Sequence, residues 1–248
     1  MAGHSKWANI QHRKGRQDKI RGKLFTRIGK ELTIAARDGG NPEFNPKLRM
    51  AIDKAKAANM SKDVLERAIK KGTGELEGVE YVEMTYEGYG PAGVAFVVEI
   101  VTDNKNRSAA SVRSNFARND GNLGADGAVS WMFHRKGIII VDKGDMDTDD
   151  FMLQALDAGA EDISEENGKF EVVTEFSEFM AVKGNLEGQG IVVESAEITM
   201  IPENNVDIID ENIAKKVMNL YEALEDNEDV QNIYANFEIS DELMEKIG

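Results

Sequence analysis

The chain contains no cysteine, which excludes disulfide scaffolds, thiolate metal sites and cysteine nucleophiles. It also lacks long apolar runs. Stretches such as residues 138–141 are strand-sized, far short of the ~20 residues a membrane helix needs. The opening MAGHSKWANI has no hydrophobic signal segment. These absences point to a cytoplasmic protein with no membrane association. Histidine is scarce, three residues in 248, and His4, His12 and His134 provide no pair on one helical turn to hold a metal. What is present suits a folded, soluble protein of about two domains: 41% hydrophobic and 30% charged residues.

The formal net charge of −15 is unevenly spread. Residues 1–71 hold 18 Lys and Arg against 7 Asp and Glu, whereas residues 135–248 hold 8 against 29. A basic segment on an acidic body is the footprint of a polyanion partner, because cations in such numbers repel one another unless phosphates neutralise them.

Residues 1–21 carry only Trp7, Ile10 and Ile20 as large apolar groups among many cations, so they read as a basic arm. A first helix is predicted over 22–38, stopped by Gly39-Gly40. Leu24, Ile28, Leu32 and Ala35 share one face, and Lys23, Arg27, Lys30 and Arg37 lie near the opposite one. Asn45-Pro46 opens a second helix and Ser61 a third, which ends at Gly72. The helical domain therefore covers 22–78.

From residue 81 the period becomes strand-like, with strands over 81–89 and 94–102, a helix over 107–119 and a strand-like stretch over 127–134. Residues 135–204 then read βαββαβ, a ferredoxin-like unit: strand 138–142, helix 148–158, strands 161–164 and 170–174, helix 178–186 and strand 195–201. A helix over 210–226 and a strand over 230–238 return to the sheet begun at residue 81. The central α+β domain is thus 79–134 with 205–240, and 135–204 is inserted into it.

Two motifs lose to plainer readings. Gly88-x-Gly90-x-x-Gly93 matches a dinucleotide fingerprint, but a strand rather than a helix follows, so it is a hairpin turn. Asp145, Asp147, Asp149 and Asp150 lack the Gly and Glu of a calcium loop and open a helix instead. No catalytic constellation emerges, so the expectation is a non-enzyme with no cofactor and no metal. The residues that carry chemistry are the cations and aromatics of the arm and first helix, Lys6, Trp7, His12, Arg13, Lys14, Arg16, Lys19, Arg21, Lys23, Arg27 and Lys30. Cations neutralise phosphates, and Trp7 and the imidazole offer faces to unpaired bases, although Trp7 suits a place in the core of the body equally well. Arg107 and Arg118 form a weaker second group.

The strings AGHSKWANIQHRKGRQD (residues 2–18), RGKLFTRIGKEL (21–32), AIDKAKAANMSKDVLERAIKKGTGE (51–75), YEGYGPAGVAFVVEIVTDNKNR (86–107), NDGNLGADGAVSWMFHRKG (119–137) and ALEDNEDVQNIYANFEI (223–239) resemble the YebC/PmpR family, whose mitochondrial relatives are translational activators of cytochrome c oxidase. The resemblance implies an α+β fold: an N-terminal helical domain followed by two ferredoxin-like α+β domains, the third inserted into the second. It implies a nucleic-acid-binding regulator of gene expression. Family members are described as DNA-binding transcriptional regulators, and others act on the ribosome at difficult stretches such as consecutive prolines. DNA and ribosomal RNA are thus the expected partners, with basic ribosomal proteins able to dock on the acidic C-terminal portion.

Overall fold

The first helix, α1, spans Gln17–Ala35 and tightens into a 3-10 turn at Ala36–Asp38, after which Gly39 (φ 131°) reverses the chain. In this computed structural model the described residues are 17–247, with side chains from Gly22 onward. Residues 17–21, expected in the arm, are already helical. Helix α2 (Pro46–Ala57) is started by Asn45, whose side chain accepts the Leu48 N–H, with Pro46 in the first turn where its missing donor is harmless. Helix α3 (Lys62–Gly72) begins after Ser61, but that hydroxyl makes no capping bond, so the expected cap contributes only its extended backbone.

The three helices close on one apolar cluster. Ile28, Leu32, Ala35 and Ala36 meet Leu48, Ala51 and Ala55, with Met60 and Ala68 beside them. Each fully buried leucine contributes about 1.5–3 kcal/mol. Gly72 is required because a Cβ there would sit 2.2 Å from the Thr33 carbonyl oxygen, where the end of α3 presses against α1.

The central domain is built from β1 (Val82–Tyr89), β2 (Ala95–Thr102), α4 (Lys105–Arg118) and β3 (Asn122–Leu123), then β8 (Val206–Ile208), α7 (Glu211–Glu225), β9 (Val230–Ala235), β10 (Phe237–Ile239) and α8 (Asp241–Ile247). Its antiparallel sheet has strand order β3-β1-β2-β9. The two long helices and the four-stranded sheet keep the ferredoxin-like layers, reached here in the order ββαβ then αβ. Phe96 of β2 meets Phe116 of α4 edge-on at 5.9 Å. The glycine-rich segment is the β1–β2 hairpin, closed by the Gly90 N–H donating to the Val94 carbonyl at 2.8 Å.

Two elements differ from expectation for identifiable reasons. The single strand over 230–238 is divided at Asn236, which is buried and accepts the Ala95 N–H with its side chain at 2.7 Å. Beyond it, β10 pairs in parallel with β8. The stretch 127–134 is a loop and a 3-10 turn (Ser130–Met132) before a strand begins at Phe133, because the N–H groups of Gly127, Val129 and Ser130 are taken by the Glu87 carboxylate at 2.8–2.9 Å.

Residues 131–205 form a separate compact unit. It comprises β4 (Phe133–Asp142), α5 (Thr148–Ala158), β5 (Asp162–Glu166), β6 (Lys169–Glu175), α6 (Phe179–Gly188) and β7 (Val193–Pro202). Strand order β5-β6-β4-β7 with antiparallel neighbours throughout is the ferredoxin-like topology. Both helices cover one face: Phe151 of α5 stacks on Phe170 at 4.1 Å, and a Cβ on Gly137 would sit 2.2 Å from the Phe179 ring. Asp147 caps α5 by accepting the N–H groups of Asp149 and Asp150, which explains the aspartate run as helix chemistry. No described helix is long and apolar enough to cross a membrane.

On the opposite face of this sheet lies Glu171, 7% exposed and without a hydrogen bond or ion pair among the described residues. Burial, then the charges of Glu166 and Asp162, push its carboxyl up to about 7. A carboxyl raised above its unfolded value favours folding only while protonated, so stability is lost as pH rises through 7. Glu171→Gln should therefore stabilise the protein on the order of 1–3 kcal/mol at pH 8 and change little at pH 4.5. Thermal unfolding at the two pH values checks this, and an equal effect at both would contradict it.

Candidate nucleic-acid interface

The candidate interface begins with α1, the helix on which the basic row lies. Spacing i, i+4, i+7 places Lys23, Arg27 and Lys30 on one face, and that face meets the C-terminal end of α7 and the residues after it. The ammonium of Lys23 lies 2.5 Å from Asp226 Oδ1, and Arg27 Nη2 donates to the Glu225 carbonyl at 2.6 Å. Lys30 is 8% exposed and donates to the carbonyls of Val101 and Glu228 and to Asp229 Oδ1, all within 3.0 Å. Cations at a helix C-terminus satisfy its orphan carbonyls and offset its negative dipole end. Burial lowers the Arg27 guanidinium from its ordinary value, and its Nε–H finds no acceptor among the described residues.

Asp229 is the hub. Beyond Lys30, it accepts from Arg107 Nη2 at 2.9 Å and from Ser108 Oγ at 2.7 Å, and its backbone carbonyl accepts the Val101 N–H at 2.8 Å. Burial alone would raise its carboxyl. The bonds from Ser108, Arg107 and Lys30 outweigh that and hold it at about 2. Arg107 also pairs with Asp103 at 2.7 Å, and these two carboxylates raise its pKa.

The predicted site residues therefore separate into groups. Lys6, Trp7, His12, Arg13, Lys14 and Arg16 lie outside the described residues. Lys19 and Arg21 lie on the first turns of α1. Lys23, Arg27, Lys30 and Arg107 are brought together, but around carboxylates and carbonyls of this same chain. Arg118 is exposed at the end of α4 and stands apart from that cluster.

Three features escaped the sequence reading. Asp229 sits in the acidic half, where spacing carried no signal, and its partner Lys30 is 199 residues away. Glu87 shapes the loop over 119–130; burial opposes its charge, but three backbone N–H donors hold its carboxyl below the ordinary range. Phe44 is 85% exposed in a loop that is nonetheless fixed. The Asn45 side chain donates to the Ala35 and Gly39 carbonyls there, and Arg49 donates to those of Pro42 and Glu43. With exposed Lys47 and Arg49 nearby in sequence, this ring has the chemistry of a base-stacking contact. On α3, Arg67, Lys70 and Lys71 are cations turned at least partly to solvent.

A helical domain carrying a cationic first helix, joined to an α+β domain interrupted by a ferredoxin-like unit, defines the class. Two family models match the chain: the TACO1/YebC N-terminal domain over residues 5–75, and the TACO1/YebC second and third domain over 81–237. The chain belongs to the TACO1/YebC family. It is 64% identical over 248 residues to a probable transcriptional regulatory protein of Fusobacterium nucleatum, covering 100% of each chain. It is 56% identical to a probable transcriptional regulatory protein of Halothermothrix orenii, covering 100% of this chain and 99% of that one. Its fold matches the crystal structure of a conserved hypothetical protein from Aquifex aeolicus with TM-score 0.85 and 47% identity, covering 95% of this chain and 98% of that one.

Asp229→Ala leaves Lys30 buried without its counter-charge, which should destabilise the protein by about 3–5 kcal/mol. Because the Asp229 pKa is depressed, the stability it adds is present above the unfolded value near 3.8 and lost as pH falls towards 2. Urea unfolding at pH 7 and pH 2.5 should show a large gap between wild type and variant at the first pH and a small one at the second. A gap of equal size at both would contradict the assignment.

Proposed function

We propose that this protein is a non-enzymatic regulator of gene expression that binds nucleic acid through its basic N-terminal region. The observation that carries the reading is the excess of 18 cations over 7 acids in the first 71 residues of an otherwise acidic chain. The Fusobacterium and Halothermothrix relatives are probable transcriptional regulatory proteins, which supports regulation of transcription; on that reading the polyanion is DNA. The contacts assigned are Lys6, Trp7, His12, Arg13, Lys14, Arg16, Lys19 and Arg21. The exposed cations of α2 and α3, together with Phe44, extend the surface.

A second reading, contact with ribosomal RNA in support of translation, is favoured by one specific observation. The cation row of α1 faces the 225–229 segment of its own chain, so α1 does not present Lys23, Arg27 and Lys30 to a major groove as a recognition helix would. A basic arm with aromatic faces suits unpaired, irregular RNA.

Replacing Arg13, Lys14, Arg16 and Lys19 with Glu should abolish polyanion binding and leave thermal unfolding almost unchanged. Every phosphate that the arm no longer neutralises should flatten the salt dependence by roughly 0.7–0.9 log unit per decade of salt. Unaltered binding by the fourfold variant would refute the arm as the binding element. Competition between ribosomes and random duplex DNA at near-physiological salt separates the two partners. Retention on ribosomes selects translation, and release to particular DNA fragments selects transcription.

A further inference from the structure

The sheet of the 131–205 unit keeps one face for its own helices and leaves the other without them. Register places Ile138 and Ile140 of β4, Glu171 and Val173 of β6, Asp162, Ser164 and Glu166 of β5, and Ser195 and Glu197 of β7 on that second face. Its floor is apolar and its charge is negative. The face's own cations sit towards its ends and are already engaged: Lys136 by Glu161 and Glu175 at 2.5–2.8 Å, Lys169 by Glu194 at 2.6 Å. Asp162, Glu166 and Glu171 have no cation among the described residues. Glu171 is more than nine-tenths buried, and among the described residues no donor bonds its carboxylate.

A largely buried side chain whose carboxylate has no partner among the described residues is costly to keep, and the same position filled by an amide would fold at least as well. Such groups mark places where a partner supplies what the fold withholds. Residues 131–205 carry 17 Asp and Glu against 5 Lys and Arg, so a nucleic-acid backbone is repelled from this unit and a cationic ligand is drawn to it. Among the described residues no group of three or more His, Asp or Glu is arranged to hold a metal ion, so these side chains do not suit a divalent cation as the occupant.

We propose that the helix-free face of this sheet is a docking surface for a Lys/Arg-rich segment of a partner protein, one of whose cationic side chains inserts beside Glu171, with Asp162 and Glu166 flanking it and Ile138, Ile140 and Val173 supporting its aliphatic stem. The face gives a location to the docking of basic proteins expected of the acidic portion. It does not depend on the nucleic-acid reading, because none of its residues lies in the N-terminal region. Long cationic side chains suit the face because they pack their methylenes on apolar surface while the charged end meets a carboxylate.

The test uses the full chain and a fluorescently labelled ten-residue oligolysine peptide, followed by anisotropy at low and near-physiological salt. Glu171→Gln should weaken binding by at least about ten-fold. Asp157→Asn removes the same charge from exposed helix α5 and should change binding by less than about two-fold. Amide chemical shifts should move on β5 and β6 and stay in place on α5 and α6. Equal losses in the two variants would overturn the proposal, reducing the effect to net charge. Shifts confined to the helices would overturn it as well. A single-stranded RNA oligonucleotide is the competing probe: if its affinity, rather than that of oligolysine, falls in Glu171→Gln, the face belongs to nucleic acid and the proposal fails. The fourfold arm variant should keep its oligolysine affinity even if it loses RNA, so failure of either reading is visible without the other.

Discussion

The arrangement of the larger unit depends on one buried carboxylate. Asp229 gathers Lys30 from α1 with Arg107 and Ser108 from the start of α4, while its backbone holds the end of β2. Buried ion pairs rarely add much net stability over apolar packing, because desolvation offsets attraction. Their consequence is geometric: with one charge in place the other has a single low-energy position. Here that position joins the helical domain to the α+β domain, and Lys23 and Arg27 reinforce the junction along the same helical face.

This constraint divides the basic N-terminal region by task. The cations closest to the body are consumed in holding the helical domain in place. Those before residue 22, with the exposed cations of α2 and α3, are the ones the proposed function uses. The acidic half is divided in the same way. Residues 225–229 receive the inward cations, Asp147 caps a helix, and Glu171, with Asp162 and Glu166 beside it, holds no cation among the described residues. Both divisions follow from burial and pairing, neither of which net charge can display.

Much of the fold was legible because it is periodic and local. The helix over 148–158 has the predicted limits, Asn45 caps the second helix, the glycine-rich segment is a hairpin, and the βαββαβ order follows from strand and helix periods, its sheet having the topology of the unit that order matches. The misses share a cause, which is partners far apart in sequence. Asn236 divides a strand because the Ala95 N–H, 141 residues earlier, needs its side chain. The 127–130 stretch resembles a strand but gives its N–H groups to Glu87, some 40 residues away. Lys30 looked like its neighbours in the cation row, since amphipathic spacing ranks residues by face and cannot tell which polar face a second domain will cover. Glu171 was hidden among 29 acids in 114 residues, where only the register reveals that it points into a face whose lysines, Lys136 and Lys169, are engaged by other carboxylates.

The most direct measurement is lysine footprinting by acetylation and mass spectrometry, on the protein alone and saturated with duplex DNA or a ribosomal RNA fragment. Lys6, Lys14 and Lys19 should be protected on binding, with Lys30 unreactive in both states because it is buried against Asp229. Protection absent from those three lysines, or a Lys30 that reacts freely in the unbound protein, would contradict the division of the basic region between partner and body.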